Sequence, residues 1–151
     1  MAHALIIGYG NPLRQDDGFG WQAAQQCAAV LSPAQAKVIA CHQLTPELAE
    51  IISRAGLVIF LDADSEQPPG RLSCRWIVAE PSVPAAFSHR VTPQSLLACA
   101  QALYGGHPAA VVLSISGVSF DYGEALSPAV DAVLPEILER VQALVAAVEH
   151  G

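Results

Sequence analysis

Apolar and polar positions fall in blocks along the chain, and each block has the length and period of one element. Ala4-Leu5-Ile6-Ile7 is a short continuous apolar run closed by Gly8, the pattern of a strand buried on both faces. The Gly8-Tyr9-Gly10-Asn11-Pro12 stretch that follows predicts a tight loop. Over residues 18–31, Trp21, Ala24, Cys27, Ala28 and Leu31 recur at helical spacing, with Asp16 and Asp17 placed to cap the start and Ser32-Pro33 to end it. Residues 37–41 predict a second strand, and Thr45-Pro46-Glu47 opens a helix running to about Ser53, with Thr as N-cap and Pro at the first turn.

Leu57-Val58-Ile59-Phe60-Leu61 is the most continuously apolar strand and therefore the predicted sheet centre; it runs directly into Asp62-Ala63-Asp64. After the turn Gln67-Pro68-Pro69-Gly70, residues 71–78 alternate as an edge or antiparallel strand does. A Pro-punctuated loop then carries Ser88-His89-Arg90. Thr92-Pro93 starts a helix with Leu96, Leu97, Ala100 and Leu103 on its inner face, ending before Gly105-Gly106. Residues 110–115 predict the last central strand, and a final helix runs from Ser127-Pro128 to about Val148 with Pro135 as a kink. The order β-α-β-α-β-β-α-β-α argues for an α/β three-layer sandwich: a mostly parallel, five-stranded twisted sheet with helices on both faces.

Composition narrows the function. At 151 residues the chain has room for one domain, spanning 1–151, and 52% hydrophobic content with 14% charged residues is the opposite of the disorder signature. No run approaches the roughly 20 apolar residues of a membrane helix, and Met1-Ala2-His3 lacks a basic signal region, so a soluble, cytoplasmic protein with no membrane partner is expected. The formal charge is -7, and the only basic residues besides histidine are Lys37 and six scattered arginines, which offers no stripe for neutralising phosphates and excludes nucleic acid as a partner. The four cysteines, Cys27, Cys41, Cys74 and Cys99, have neither zinc-site nor disulfide-scaffold spacing and are expected as small core residues.

Three polar clusters lie at or near the carboxyl ends of predicted strands, where parallel sheets bind ligands. They are residues 11–17, the pair Asp62 and Asp64, and Ser88-His89. Two carboxylates and a histidine brought together suit a divalent ion such as Ni²⁺ or Zn²⁺. The first cluster is not a dinucleotide fingerprint, because Leu13 stands where the third glycine is needed and an acidic pair would repel a pyrophosphate. One cap position exists for Asp16 and Asp17, which leaves one of the two for another role. Asp62, at the mouth of a fully buried strand, will be partly desolvated and needs a partner or a cation, whereas Asp64 is expected to be solvated. Among the histidines, terminal His3 and His150 and turn-borne His107 are explained by exposure, leaving His42 and His89. No G-x-S-x-G, H-E-x-x-H or cysteine-nucleophile setting occurs.

The residues from Ile6 through Gly8, Gly10, Asn11, Leu13, Asp16, Asp17 and Gly18 to Gly20 resemble the N-terminal signature G-x-G-N-x-L-x-x-D-[DE]-G-x-G of the [NiFe]-hydrogenase maturation endopeptidases. Three more stretches are similar to that family: His42-Gln43-Leu44-Thr45-Pro46-Glu47-Leu48, Val58-Ile59-Phe60-Leu61-Asp62-Ala63, and Gly123-Glu124-Ala125-Leu126-Ser127-Pro128-Ala129-Val130. The resemblance implies an aspartic-type endopeptidase, acting as a monomer, that removes a short C-terminal extension from the hydrogenase large-subunit precursor once nickel has been inserted. Nickel is then supplied by the precursor and contacted by two acidic residues and one histidine of the protease. Carried over position by position, these are Asp17, Asp62 and His89, the family's histidine lying either at the Ser88-His89 position or several residues later, where Gln94 stands. Asn11, Gly8 and Gly10 would shape the substrate loop or lend it N–H groups, and Glu47 lies near the cleft or complements a helix dipole. The alternative from another class is a non-catalytic nickel-checkpoint or nucleotide-binding module on a similar α/β scaffold.

Overall fold

The computed structural model describes residues 3–81 and 91–149. Its strands are β1 (Ala4–Tyr9), β2 (Ala36–Cys41), β3 (Leu57–Asp64), β4 (Leu72–Ile77) and β5 (Ala109–Ser116). Its helices are a 3-10 turn (Gln15–Gly18), α1 (Phe19–Val30), α2 (Leu48–Ser53), α3 (Pro93–Tyr104), α4 (Pro128–Asp131) and α5 (Leu134–Glu149). The strands form one sheet in the order β2-β1-β3-β5-β4, with only the edge strand β4 antiparallel. This is the three-layer α/β architecture expected from the element order. None of the described helices is long and apolar enough to cross a membrane.

Strand alternation divides the core into two layers. Ala4, Ile6, Leu57, Ile59, Leu61, Val111, Leu113 and Ile115 pack with α1 and α5. Leu5, Ile7, Val58, Phe60, Ala110 and Val112 face the other way and pack with α2 and α3. Because both faces are covered, the central strands β1, β3 and β5 carry continuous apolar runs rather than apolar residues at every second position, as the runs in the sequence indicate.

Several boundaries differ from expectation for local reasons. β3 continues past Leu61, since Asp62, Ala63 and Asp64 pair with Ser114, Ile115 and Ser116 of β5. Thr45 does not cap α2: the chain first turns, with Leu48 N–H bonded to the Thr45 carbonyl at 3.1 Å, and the helix begins at Leu48. The buried stripe of α1 is Phe19, Ala23, Ala24 and Cys27, leaving Trp21 half-buried and Ala28 exposed. Leu103 is 70% exposed rather than internal, as the chain after α3 turns inward at once and Gly106 packs on the Ser53 backbone. The expected kinked C-terminal helix is two helices, α4 and α5. Pro135 has no N–H to donate and its ring would clash with the Asp131 carbonyl, so the helix stops and restarts with Pro135 in the first turn. Of the cysteines only Cys27 is fully buried, and Cys74 is exposed on the edge strand β4.

The topology creates one crevice. The connection leaving β1 turns through α1 to β2 on one side, whereas the one leaving β3 runs to β4 on the other, so the chain diverges above the adjacent carboxyl ends of β1 and β3. Sheets of this kind bind ligands at such switch points. Helix α1 crosses these strand ends so closely that a Cβ on Gly20 would strike the carbonyl oxygens of Leu61 and Tyr9. Backbone on both sides cannot yield. Gly20→Ala is therefore expected to cost about 3 kcal/mol or more in denaturant unfolding; a wild-type midpoint would show that the crossing is looser than described.

Candidate functional site

The loop after β1 is built around its own main chain. Gly10 has φ 146°, which side-chain-bearing residues rarely adopt, and a Cβ there would collide with the Asp17 carbonyl. Asn11 organises the next turn: its Oδ1 accepts the Leu13 N–H at 2.9 Å, its carbonyl accepts the Arg14 N–H at 3.1 Å, and its own N–H donates to Asp17 Oδ2 at 2.9 Å. The Asp17 carboxylate is thereby held half-buried at the crevice. Asn11 thus has an observed task, positioning Asp17, beyond shaping a loop.

Neither acidic residue of the pair caps α1. The N-cap is Gly18, with no side-chain cap bond. Asp16 turns inward instead and is fully buried. Its Oδ1 accepts the Ser127 N–H at 2.8 Å; its Oδ2 accepts the N–H groups of Val118 and Ser119 and the Ser127 hydroxyl at 2.7, 3.0 and 2.7 Å. Removal from water would raise its pKa, but the bonds from Ser127, Ser119 and Val118 favour the anion more and hold it below the ordinary carboxylate value. Asp16 therefore ties the segment 117–127 to the site loop. Gln15, the one non-glycine among the described residues with positive φ, at 47°, is held in the same seam by its N–H bond to the Gly123 carbonyl at 2.8 Å.

Asp62 is in the opposite electrostatic state. It points to the α2–α3 side of the sheet at the end of β3, and burial pushes its pKa up to about 6. The Tyr9 hydroxyl beside it and the Ala63 N–H, 2.7 Å from Oδ1, favour the anion, while the charges of Asp64 and Asp17 oppose it. The same burial, with the Asp62 charge second, raises the Tyr9 pKa and keeps the phenol protonated as a donor. Asp64 is half-buried rather than solvated. Its Oδ1 accepts from the Ser116 hydroxyl at 2.9 Å and the Glu66 N–H at 3.2 Å, which closes the turn after β3.

Of the expected site residues, the structure brings Asp17 and Asp62 to one crevice, close enough for the Asp17 charge to perturb Asp62. Ser88 and His89 lie outside the described residues, and among the described residues no group of three His, Cys, Asp or Glu side chains is arranged to hold a metal ion. His42 and Glu47 are exposed beyond β2. Gln94 lies half-buried in the first turn of α3, with its carbonyl accepting the Glu80 N–H at 3.1 Å. Tyr9 was missed as a site residue. Its signal in the sequence was an aromatic with a polar tip at the last position of an otherwise aliphatic strand.

Two substitutions separate these states. Both Asp16 oxygens face donors, so Asp16→Asn would aim an amide NH₂ at an N–H or a hydroxyl proton; a loss of about 3 kcal/mol is expected, read as a thermal midpoint lower by roughly 6–12 °C. For Asp62 the sign is reversed. The folded state holds its proton more tightly than the unfolded chain, so its contribution is most favourable below about pH 4 and declines as pH rises towards 6. Asp62→Asn is expected to stabilise the protein at pH 7 by on the order of 2–3 kcal/mol and to flatten this pH dependence. Denaturant midpoints between pH 4 and 7 test it, and an unchanged slope contradicts it.

No family model and no curated protein matches the chain. Solved structures do. The hydrogenase maturating endopeptidase HybD from E. coli superposes with a TM-score of 0.73 at 20% identity, over 96% of this chain and 93% of that one. The [NiFe] hydrogenase maturation protease HycI from Thermococcus kodakarensis KOD1 gives 0.71 at 21% identity, over 99% and 94%. The hydrogenase 2 maturation peptidase from Thaumarchaeota archaeon SCGC_AB-539-E09 gives 0.68 at 23%, over 94% and 97%. The chain has the fold of these maturation proteases along nearly its whole length.

Proposed function

We propose that the chain is an endopeptidase that removes the C-terminal extension of a [NiFe]-hydrogenase large-subunit precursor after nickel insertion, with the nickel arriving as part of the substrate. The observation that carries this reading is the pair Asp17, in the connection after β1, and Asp62, at the end of β3: two carboxylates near enough for one charge to act on the other at the sheet's switch point, in a fold shared with hydrogenase maturation proteases. The motifs around Asp17, Asp62 and Ser127 supply the agreement in sequence.

The donor set suits the task. Asp17 and Asp62 repel each other's charge, and Asp62 carries an unfavourable buried charge at neutral pH. A divalent cation presented by the precursor relieves both, whereas a phosphate group would worsen them, which weighs against a nucleotide-binding module. Asn11 holds Asp17 and Tyr9 stands beside Asp62, so both carboxylates are oriented before substrate arrives. His89 is the proposed third contact. Bound there, the nickel would supply a Lewis acid close to the scissile bond.

Incubating the protein with a nickel-loaded large-subunit precursor and measuring the precursor's mass tests the proposal. Loss of a C-terminal fragment is expected. Asp17→Asn, Asp62→Asn and His89→Ala should each lower the rate by at least about a hundredfold while leaving the circular dichroism unchanged. A precursor that binds with its mass unchanged would favour the non-catalytic checkpoint, and wild-type processing by His89→Ala alongside a dead Gln94→Ala or His42→Ala would overturn the histidine assignment.

A further inference from the structure

Beside the site loop lies a cleft of about 450 Å³ whose lining includes neither Asp17 nor Asp62. Its lining comes from Pro12 and Leu13 of the site loop, the exposed side of α1, and Glu124 across from them. We propose, resting on the reading above, that this cleft seats an extended segment of the precursor polypeptide that carries a basic side chain opposite Glu124.

Four observations select this occupant. The cleft adjoins the site loop: Pro12 follows Asn11, whose N–H donates to Asp17 Oδ2, so a chain lying here would run along the turn that carries Asp17. Its chemistry is that of a peptide groove. Trp21 and Leu13 offer apolar surface, and Gln25 and Gln26 add exposed amides that can both donate to and accept from a peptide backbone. Glu124 is the only formally charged residue in the lining among the described residues, on a chain whose net charge is -7, which favours a cationic side chain over an acidic one.

The fourth observation is a concentration of exposed apolar residues. Leu13 is 52% exposed in the lining; outside the lining, on the segment that Asp16 ties to the site loop, Val118 is 53% and Tyr122 90% exposed. Tyr122 precedes Gly123, whose N–H donates to the Leu13 carbonyl at 2.9 Å, so these side chains ride on adjoining backbone. Large apolar groups exposed together in this way mark contact surfaces.

The walls are also fixed in advance. Gln15 N–H bonds the Gly123 carbonyl, Arg14 Nε donates to the Phe120 carbonyl at 3.2 Å, and Gln22 Nε2 donates to the Glu124 carbonyl at 3.3 Å. Below them, Asp16 anchors Val118, Ser119 and Ser127. A groove that needs no ordering on binding spends little entropy there. The cleft thereby chooses which precursor is processed, while Asp17 and Asp62 act on the metal-bearing end.

The test compares wild type with Leu13→Asp, Tyr122→Ala and Glu124→Lys on the nickel-loaded precursor from the source organism. Processing kinetics are read together with the affinity of each form for the precursor in an Asp62→Asn background. KM and the dissociation constant should rise roughly tenfold or more, with kcat nearly unchanged and thermal midpoints like wild type, since Leu13, Tyr122 and Glu124 are exposed. Glu124→Gln, a milder change, should raise KM severalfold and reduce its salt dependence. Efficient processing with an unaltered KM in all four variants overturns the inference and leaves the protease reading intact. Binding that is weakened by these variants, with no cleavage by wild type, upholds the groove and overturns the protease. Absence of both binding and cleavage overturns the two together.

Discussion

A carboxylate removed from water must find donors or give up its charge, and Asp16 finds four of them on residues more than 100 positions away. Burying that charge without partners would cost several kcal/mol. The turn after β1 and the segment between β5 and α4 therefore cannot form independently: each supplies what the other lacks. The loop after β1 and the segment after β5 are built on that seam. It carries the strained Gln15 backbone, places the Asn11 turn that holds Asp17, and erects the wall bearing Tyr122 and Glu124.

Adjacent residues of one type consequently do opposite work. Asp16 is sealed and fully bonded, with its acidity increased; Asp17, one position on, is half-buried and accepts the Asn11 backbone N–H. Across the crevice Asp62 is neither sealed nor fully satisfied, and its pKa is raised to about 6. The protein thus separates a carboxylate that stabilises from one that costs stability. Costly charges of the second kind concentrate at functional sites. Tyr9 and the Ala63 N–H keep the cost of Asp62 bounded, which allows an unfavourable charge to persist in an otherwise apolar strand layer.

In the proposed reading the division of labour extends outward. The crevice contributes charge and geometry, and the adjoining cleft contributes polypeptide contact, so the reaction requires a substrate that satisfies both. A small domain can support such chemistry because its rigid parts are strand ends and a cross-linked loop pair rather than a large dedicated pocket.

How far the sequence alone reached depends on the range of the interaction involved. The succession of elements along the chain, the two-sided apolar strands, the edge or antiparallel character of β4 and the Thr92-Pro93 start of α3 are legible because strand burial, capping and proline stereochemistry act within a few residues. The motif glycines and Asp62 stood out for the same reason, being local breaks in an apolar pattern. A cap expected from one of Asp16 and Asp17 comes from neither, and the role of Asp16 is not legible because its donors at Val118, Ser119 and Ser127 have no trace in the neighbouring sequence. Asp64 was misplaced in solvent because its partner Ser116 is 52 residues away, and β3 was ended too early because β5 supplies the pairing that extends it. Tyr9 could not be joined to Asp62 until β1 and β3 lay side by side. The sequence by itself determined which elements form and which residue types are set apart from the core pattern; only the tertiary structure decided which carboxylate is buried, which is strained and which walls a cleft, because those are properties of contacts between strand ends and loops far apart along the chain.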